Sequence, residues 1–421
     1  MTIAPERVEQ TVARPSTTGR ARFVLILGGL SAFGPLSIDM YLPALPQMAG
    51  ELRAADATVQ LTLSAFIIGL AIGQLILGPL SDAIGRRKPL VAGLGLYLVG
   101  SILCAIAPSA ELLIAARGVQ AFGAAAGIVI ARATVRDLYS GTAMTKFFSL
   151  LMLVNGLAPI LAPIIGGQIM NWTSWRGVFV CLTVFGAILL AVVFFLLPEP
   201  LPEERRTPAR FGSVMRTYAC LFRDRGFLGY ALASGLMFGS LFAYISGSSF
   251  ALQGVYGLSP QAYSLVFGLN GIGIVAVGQL NGRIVGRFPE RTLLTVGLIV
   301  AAAAGFGVLA AVVLDLSLVG LLVPLFILVS SIGMVAPNAS SLALAEQARS
   351  AGSASALLGV VQFVVGGLAT PLVGLGGAGT AVPMGITMAV FGVLALLAFG
   401  TMTRPSRFVA APVALAVTQE A

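Results

Sequence analysis

One carboxylate of this chain stands where a proton could be exchanged inside an apolar segment. Asp39 lies towards the outer half of the first predicted helix, with apolar neighbours before it and Tyr41, Leu42 and Pro43 after it. The other fifteen of the 16 acidic residues fall in predicted tails, loops or helix ends. An ionised Asp at the centre of a membrane helix costs about 2.5–3.5 kcal/mol, so Asp39 is predicted to take up and release a proton near neutral pH. The alternative is that Asp39 only borders an outer vestibule.

A cation occupies a matching position in the fourth predicted helix. Arg117 lies in the run RGVQAFGAAAG, and an arginine stays charged at any accessible pH. It is therefore predicted to face a water-filled cavity or to find an acceptor, where it would favour ionisation of a carboxylate or hold a polar or anionic ligand. The alternative is an arginine that snorkels to the outer interface. Gln120, one turn further on, is expected on the same face.

Other polar side chains interrupt the apolar helices and are candidates for a substrate cavity. These residues are Tyr41, Gln120, Asn155, Asn270 and Gln362. Each of them could instead make an interhelical hydrogen bond, which is worth about 0.6 kcal/mol in a membrane protein.

The loop between the second and third predicted helices carries the most specific motif of the chain. It reads GPLSDAIGRRK, and the residues of interest are Gly78, Asp82, Gly85, Arg86 and Arg87. The two glycines permit close backbone approach, and the Asp is placed to cap a helix N-terminus or to pair with an arginine. We expect a charged latch that breaks and re-forms during a conformational cycle.

The fifth predicted helix contains two prolines four residues apart. Its sequence NGLAPILAPIIGG includes Pro159, Pro163, Gly166 and Gly167. Proline kinks a helix and frees backbone carbonyls, and small residues let another helix approach closely. This segment is predicted to bend or pack at a helix crossing, with packing that involves no motion as the alternative.

Composition shows what kind of elements must position these residues. Of the 421 residues, 57% are apolar and 10% are charged, whereas soluble domains are about 45–50% apolar and roughly 25% charged. A membrane helix needs about 20 apolar residues, so the length allows about a dozen helices. Runs that are apolar on consecutive residues exclude a transmembrane β-barrel. The fold predicted is therefore all-α and polytopic.

Several classes of chemistry lack the residues that they need. The chain has no His, its 3 Cys are far apart without a CxxC pair, and neither lysine lies in a GxxxxGK[ST] motif. These absences argue against an imidazole base, a His-ligated metal, a zinc or redox centre and a P-loop. We expect no metal and no cofactor.

Apolar runs and their Pro, Gly and charged punctuation predict twelve helices. They are placed near residues 23–45, 59–80, 90–107, 112–135, 147–169, 176–197, 227–250, 260–284, 292–314, 317–342, 352–373 and 382–402. The widest polar stretch, 198–226, is predicted to be a linker between six-helix halves at 23–197 and 227–402. The basic residues 1–22 and the residues 403–421 are expected to be disordered tails.

The distribution of positive charge predicts the orientation in the membrane. Of the 25 Lys and Arg residues, 22 fall in the tails and loops of one side, and cytoplasmic loops retain such residues. Both termini are therefore expected in the cytoplasm, and the net charge of +9 requires no nucleic-acid partner. The first apolar run ends in SIDMYLPALP, which lacks an A-x-A pattern, so a retained helix is favoured over a cleaved signal peptide.

An internal repeat supports the division into two halves. Gly73-Gln74-Leu75 recurs 205 residues later as Gly278-Gln279-Leu280, and both copies lead into a Gly-containing basic loop and an apolar restart. The second copy lacks the Asp of the first.

Taken in order, these motifs resemble the major facilitator superfamily, and specifically its bacterial drug/proton antiporters of the Bcr/CflA type. GPLSDAIGRRK is similar to the superfamily's motif in loop 2–3, and RGVQAFGAAAG to its helix 4 motif. The segments SIDMYLPALP, APILAPIIGG, NWTSWRGVF, APNASSLAL and AGSASALLG resemble signatures of the subfamily. The resemblance spans about residues 22–402.

The resemblance implies a monomeric multi-pass protein of the bacterial cytoplasmic membrane that exports drugs such as phenicols or bicyclomycin-like compounds against inward proton flow. It assigns proton coupling to Asp39 and Arg117 and the cytoplasmic gate to Asp82 and Arg86. Ala158 and Ala162 stand where the general antiporter motif prefers Gly, and the helix 1 segment before Asp39 lacks the second acid of some relatives. The alternative is a symporter or dedicated exporter of one metabolite with the same fold. An enzyme is not expected, because no loop is long enough to house a catalytic constellation.

Overall fold

A computed structural model describes residues 17–139, 141–206, 211–345, 347, 351–375 and 380–403. Most of both predicted tails lies outside the described residues. The described α-helices are α1 (Thr17–Asp39), α2 (Leu45–Glu51), α3 (Asp56–Ile84), α4 (Arg87–Ile106), α5 (Ala110–Leu138), α6 (Gly141–Trp172), α7 (Trp175–Leu196), α8 (Phe211–Arg223), α9 (Arg225–Ser249), α10 (Pro260–Ile284), α11 (Glu290–Val313), α12 (Leu318–Ala345), α13 (Ala351–Gly374) and α14 (Val382–Met402).

Twelve segments of the described chain are helical, long and apolar enough to cross a membrane. Each predicted helix overlaps one of them, so the predicted all-α architecture of twelve spans is confirmed. Apart from the first, the boundaries differ by only a few residues.

The first span differs from its prediction because it is broken. It was expected to run as one helix over 23–45, but α1 ends at Asp39 and is followed by a 3-10 turn at Leu42–Ala44 and by α2. Pro43 has no N–H to bond the carbonyl of Asp39 four residues earlier, and its ring would clash with that carbonyl. Asp39 is consequently the last residue of a helix.

The polar stretch between the sixth and seventh spans also contains a helix that the sequence reading missed. In α8, Leu221 is 3% exposed and packs in a cluster with Phe227 and Leu358, whereas Arg216 is exposed. Its apolar residues are interrupted by polar residues and by Arg216, so they follow the spacing of an amphipathic helix and do not form one continuous apolar run.

Small residues bring the helices of the first half close together. A Cβ at Gly73 of α3 would lie 2.6 Å from the Cβ of Ala125 in α5, and one at Gly100 of α4 would lie 2.6 Å from the amide nitrogen of Gln120. Such contacts allow backbones to pack without a hydrophobic driving force in lipid.

The repeat is visible in the loops that follow the second span of each half. Gly85 ends α3 with φ of 96°, and Gly286 follows α10 with φ of 91°. Both values lie in the left-handed region that glycine adopts without a Cβ penalty. We call the end of the molecule that carries the Gly85 loop the latch end, and the other end the far end.

The two halves meet at the far end. Ser64 of α3 hydrogen-bonds Thr370 of α13, and the Oγ of Ser249 donates to the carbonyl of Leu42 at 2.6 Å. Gln261 of α10 donates to Asn171 of α6 at 2.7 Å. These contacts close the far end between the halves.

Candidate functional site

A cavity of about 820 Å³ lies between the two halves. Its walls come from α1, α3, α5 and α6 on one side and from α8, α9, α10, α12 and α13 on the other. It reaches Asp82 and Arg136 at the latch end, whose side chains are 39% and 65% exposed. The cavity is thus open to solvent at the latch end and closed at the far end, and its size suits a drug-sized ligand.

Asp39 lies at the inner part of this cavity. It is 4% exposed, lines the cavity, and interacts electrostatically with Tyr244 and Tyr263 of the other half. Its carboxylate makes no hydrogen bond and no ion pair within the described part of the chain. The helix end created by Pro43 therefore presents an unpartnered carboxylate to the space between the halves.

Arg117 lies inside the first half, and it neither lines the cavity nor snorkels. Its side chain is fully buried, and it donates to Gln120 Oε1 at 2.6 Å and to the carbonyl of Ser37 at 2.9 Å. Its guanidinium lies 4.5 Å from the ring centre of Tyr41 and 4.1 Å from that of Phe66, distances typical of cation–π contact. Through Ser37 it holds the last turn of α1, which bears Asp39.

Two of the predicted substrate residues belong to this internal network. Tyr41 hydrogen-bonds Thr62 at 3.1 Å, and Gln120 donates to Ser101 at 2.8 Å while accepting from Arg117. Both are fully buried and neither lines the cavity, contrary to expectation. A buried guanidinium needs acceptors and aromatic faces, and these side chains supply them.

The other three predicted residues do line the cavity, namely Asn155, Asn270 and Gln362. Their amide nitrogens donate to the carbonyl of Leu151, the hydroxyl of Tyr244 and the hydroxyl of Ser234, at 2.8, 2.8 and 2.7 Å. Aromatic rings surround them: Phe238, Phe242, Tyr244, Phe267 and Phe363. The second half therefore contributes an aromatic wall with a few polar groups.

The predicted latch forms an ion-pair network around Arg86. This side chain is 2% exposed and binds Asp82 at 2.6 Å and Asp137 at 2.7 Å, while its Nη1 donates to the Oγ of Ser81 at 2.7 Å. Asp137, at the end of α5, was not among the predicted site residues. Its adjacency to Arg136 at the end of an apolar helix is the signal that could have pointed to it.

Glu199 caps the helix that follows the loop. Its carboxylate accepts the backbone N–H groups of Arg86 at 2.7 Å and Arg87 at 3.1 Å. The sequence predicts that Asp82 either caps a helix N-terminus or pairs with an arginine. In the structure Asp82 forms the ion pair, and Glu199, from the segment after α7, caps the helix. A Cβ at Gly85 would lie 2.7 Å from the Glu199 carboxylate.

The remaining members of the motif have simpler surroundings. Arg87 donates to the carbonyl of Phe194 at 2.5 Å. A Cβ at Gly78 would lie 3.6 Å from Val129, which is ordinary contact, so Gly78 is not needed for the close approach that the sequence suggested. The other latch partners, Ser81, Asp137 and Phe194, lie in the first half, whereas Glu199 lies in the linker at 198–226.

Helix α6 is continuous through both of its prolines. Pro159 lines the cavity, and Pro163 is buried. A Cβ at Gly166 would collide with the carbonyl oxygen of Met40, next to Asp39, and one at Gly167 would lie 2.7 Å from the Oγ of Ser264 in α10. The segment is thus a close crossing between the end of α1 and the other half.

Comparison with known proteins agrees with this geometry. The family model of the Major Facilitator Superfamily matches residues 27–371. The chain is 43% identical to the "Uncharacterized MFS-type transporter YdgK" of Bacillus subtilis (strain 168), covering 92% of this chain and 97% of the relative. It is 33% identical to the bicyclomycin resistance protein homolog of Haemophilus influenzae, covering 90% and 96%.

Among solved structures, the chain resembles a bacterial homolog of the human lysosomal transporter Spinster in its inward-facing, unoccupied conformation. The TM-score is 0.75 at 17% identity, covering 92% of this chain and 96% of the other. Family model, relatives and fold lead to the same assignment. The chain belongs to the Major Facilitator Superfamily and is a multi-pass transporter of the bacterial inner membrane, not an enzyme.

Proposed function

We propose that this protein exports small amphipathic, uncharged or weakly charged drugs in exchange for protons. The observation that carries the proposal is Asp39, a carboxylate without a partner in the described chain that lines the cavity between the halves. A group so placed can be reached by a substrate and by a proton in the same cavity, as antiport requires. Arg117 positions it through the carbonyl of Ser37.

In the proposed transport cycle the cavity opens alternately at the latch end and at the far end. The charge bias supports a cytoplasmic location for the latch end and both termini, and in the proposed cycle the described state is the inward-facing one. The drug enters from the cytoplasm and Asp39 releases its proton as the drug arrives. The halves at 23–197 and 227–402 then rock about the cavity, joined by the linker at 198–226, and Asp39 is protonated again from outside.

The latch stabilises one arrangement of the cytoplasmic end. Asp82 is partly exposed and lines the cavity mouth, so its pairing with Arg86 is accessible to change when the second half approaches. We propose that this ion pair rearranges between the inward-facing and outward-facing states.

The aromatic walls of the cavity and their few polar groups support the proposed substrate class. Phenicols and bicyclomycin-like molecules are the favoured candidates, since they are small, uncharged and rich in hydrogen-bonding groups. The relative named for bicyclomycin resistance supports this choice. Asn155, Asn270 and Gln362 are the proposed polar contacts, and the protein acts as a monomer without a cofactor or a nucleic-acid partner.

Substrate-evoked proton movement in proteoliposomes tests the proposal. The panel contains phenicols, bicyclomycin and lipophilic cations, and Asp39→Asn is compared with Asp315→Asn, which removes an exposed carboxylate outside the cavity. We expect flux with at least one drug, abolished by Asp39→Asn and retained in Asp315→Asn. Flux that survives Asp39→Asn places coupling elsewhere, and no flux with any drug favours a dedicated metabolite carrier.

A further inference from the structure

Among the described residues, five charged side chains line the cavity, and three of them interact with one another as ion pairs. Asp82 pairs with Arg86 at 2.6 Å and lies 4.0 Å from Arg136. The other two are Asp39 and Arg132. Neither makes a hydrogen bond or an ion pair with any residue that the structure describes.

Arg132 is a permanent cation of the cavity wall. It lies on α5 within the span Ala110–Leu138, yet its side chain is exposed, and the cavity is the space that it faces. An arginine within a membrane helix is costly unless it faces water or an acceptor. Because it cannot deprotonate, a ligand in this cavity always meets a positive charge.

The levels of Asp39 and Arg132 along their helices indicate how long a ligand must be to reach both groups. Gly34 of α1 packs on Ile128 of α5, since a Cβ at Gly34 would lie 2.9 Å from the Cδ1 of Ile128. Asp39 lies five residues beyond Gly34 towards the far end, and Arg132 four residues beyond Ile128 towards the latch end. At 1.5 Å per residue the two levels are about 13 Å apart. Each side chain leans towards the N-terminus of its own helix, which points the two groups towards each other.

The charge of Arg132 limits which substrates can drive antiport. A cation is repelled by the guanidinium. An anion is attracted, but it also favours the protonated form of Asp39 and so opposes the proton release that exchange needs. A neutral group with acceptor oxygens satisfies the guanidinium and leaves Asp39 free to release its proton.

We propose that Arg132 determines substrate charge: the cavity accepts neutral amphiphiles that carry a nitro, sulfonyl or carboxamide acceptor and rejects lipophilic cations. This inference rests on the proposed drug/proton antiport. Arg132 is a specificity residue that binds the acceptor end of the substrate, about 13 Å from the level of the proton site.

A charge series on one scaffold tests the assignment. Binding of chloramphenicol, its deacylated amine (a cation) and its hemisuccinate (an anion) is measured by calorimetry on the full chain, for the unmodified protein, Arg132→Gln and Arg283→Gln. Arg283 is an exposed cation at the same end, outside the cavity. We expect the neutral compound to bind at least tenfold more tightly than the amine, a preference lost in Arg132→Gln and kept in Arg283→Gln. An unchanged preference in Arg132→Gln overturns the proposal.

A second measurement does not depend on knowing the drug. Ser355, an exposed residue of the cavity wall, is changed to Cys after Cys181 and Cys220 are changed to Ser. Its modification rates by a negatively charged and a positively charged methanethiosulfonate reagent are then compared. Arg132→Gln should lower the negative-to-positive rate ratio at least fivefold, and Arg283→Gln should not. An unchanged ratio refutes the charge role even if antiport holds, whereas a changed ratio without phenicol binding refutes only the drug assignment.

Discussion

Arg117 is a buried cation that positions Asp39 without contacting it. Within the described chain its partners are an amide oxygen, a backbone carbonyl and aromatic faces, and none is a carboxylate. The guanidinium needs its planar fork to reach Gln120 and Ser37 at once. Its role is therefore to fix the last turn of α1, and through it the position of Asp39.

Arg117→Lys tests this role at the residue scale. An ammonium can keep one of the two charged hydrogen bonds, and each is worth about 1.5–3 kcal/mol, so we expect the free energy of unfolding to fall by about that amount. Drug-evoked proton flux should fall as well, because the last turn of α1, which bears Asp39, is no longer held in place through Ser37. Thermal unfolding in detergent and flux in proteoliposomes measure the two effects. The control is Arg53→Lys in an exposed loop, and equal behaviour of the two variants would contradict the assignment.

At the scale of elements, breaks and crossings of helices place the site. Pro43 ends α1 at Asp39, and α6 crosses this end so closely that the Met40 carbonyl leaves no room for a side chain at Gly166. The latch depends in the same way on a helix start, because Glu199 caps α4 across the Gly85 turn.

Gly166→Ala tests the crossing of α6 and α1. The added methyl meets backbone rather than a flexible side chain, so we expect destabilisation of about 1–3 kcal/mol together with loss of transport. Gly156→Ala, on the same helix, is the control, because its Cβ would lie 3.9 Å from Val275. That variant should be neutral or stabilised by up to about 1 kcal/mol through helix propensity. Similar unfolding temperatures for both variants would disprove the close crossing.

The two related loops offer a matched test of the latch. Gly85 has φ of 96° and ψ of 166°, a conformation nearly restricted to glycine, and non-glycine residues there cost about 1–3 kcal/mol. Gly286→Ala meets backbone strain alone, since no atom of the described residues lies within 4 Å of a Cβ placed at Gly286. Gly85→Ala also displaces Glu199, so it should cost about 1 kcal/mol more through the lost cap. Denaturation in detergent compares them, and a smaller effect at Gly85 would count against the capping role of Glu199.

For the whole molecule, the far end is closed and the latch end is open, and the proposed transport cycle requires a second state in which this arrangement is reversed. The far-end contacts join α3 to α13, α6 to α10 and the turn after α1 to α9. For the cavity to open on the other side, these contacts must separate.

A disulfide across the far end should arrest this change. Cysteines at Ser64 and Thr370, which hydrogen-bond across the halves, should form a crosslink that abolishes drug-evoked flux, with recovery on reduction. Cysteines at Asn281 and Asn338, whose side chains lie 2.7 Å apart within the second half, are the control and should leave flux intact. Both pairs are made without Cys181 and Cys220. Full transport by a crosslinked far end would exclude rocking of the halves about the cavity.

The number and order of the membrane helices are predictable from the amino-acid sequence, because apolar runs and the Pro, Gly and charged residues between them are local and the bilayer sets their length. It also singled out Asp39, Arg117 and the latch motif, since charged residues stand out in a chain with 10% charge. The helix α8 was not predicted, because its apolar residues recur at helical spacing and do not form a continuous apolar run.

Which polar side chains face the cavity is not predictable from the sequence and becomes visible in the folded protein. Tyr41 and Gln120 turn inward to satisfy Arg117, Asn270 and Gln362 face the cavity, and Arg132 emerges as its unpartnered cation. Whether a side chain points into the cavity or into the protein interior depends on how helices that are distant in the sequence rotate and cross. Glu199 caps a helix more than a hundred residues earlier in the chain for the same reason. Such pairings are set by packing, which no local pattern records.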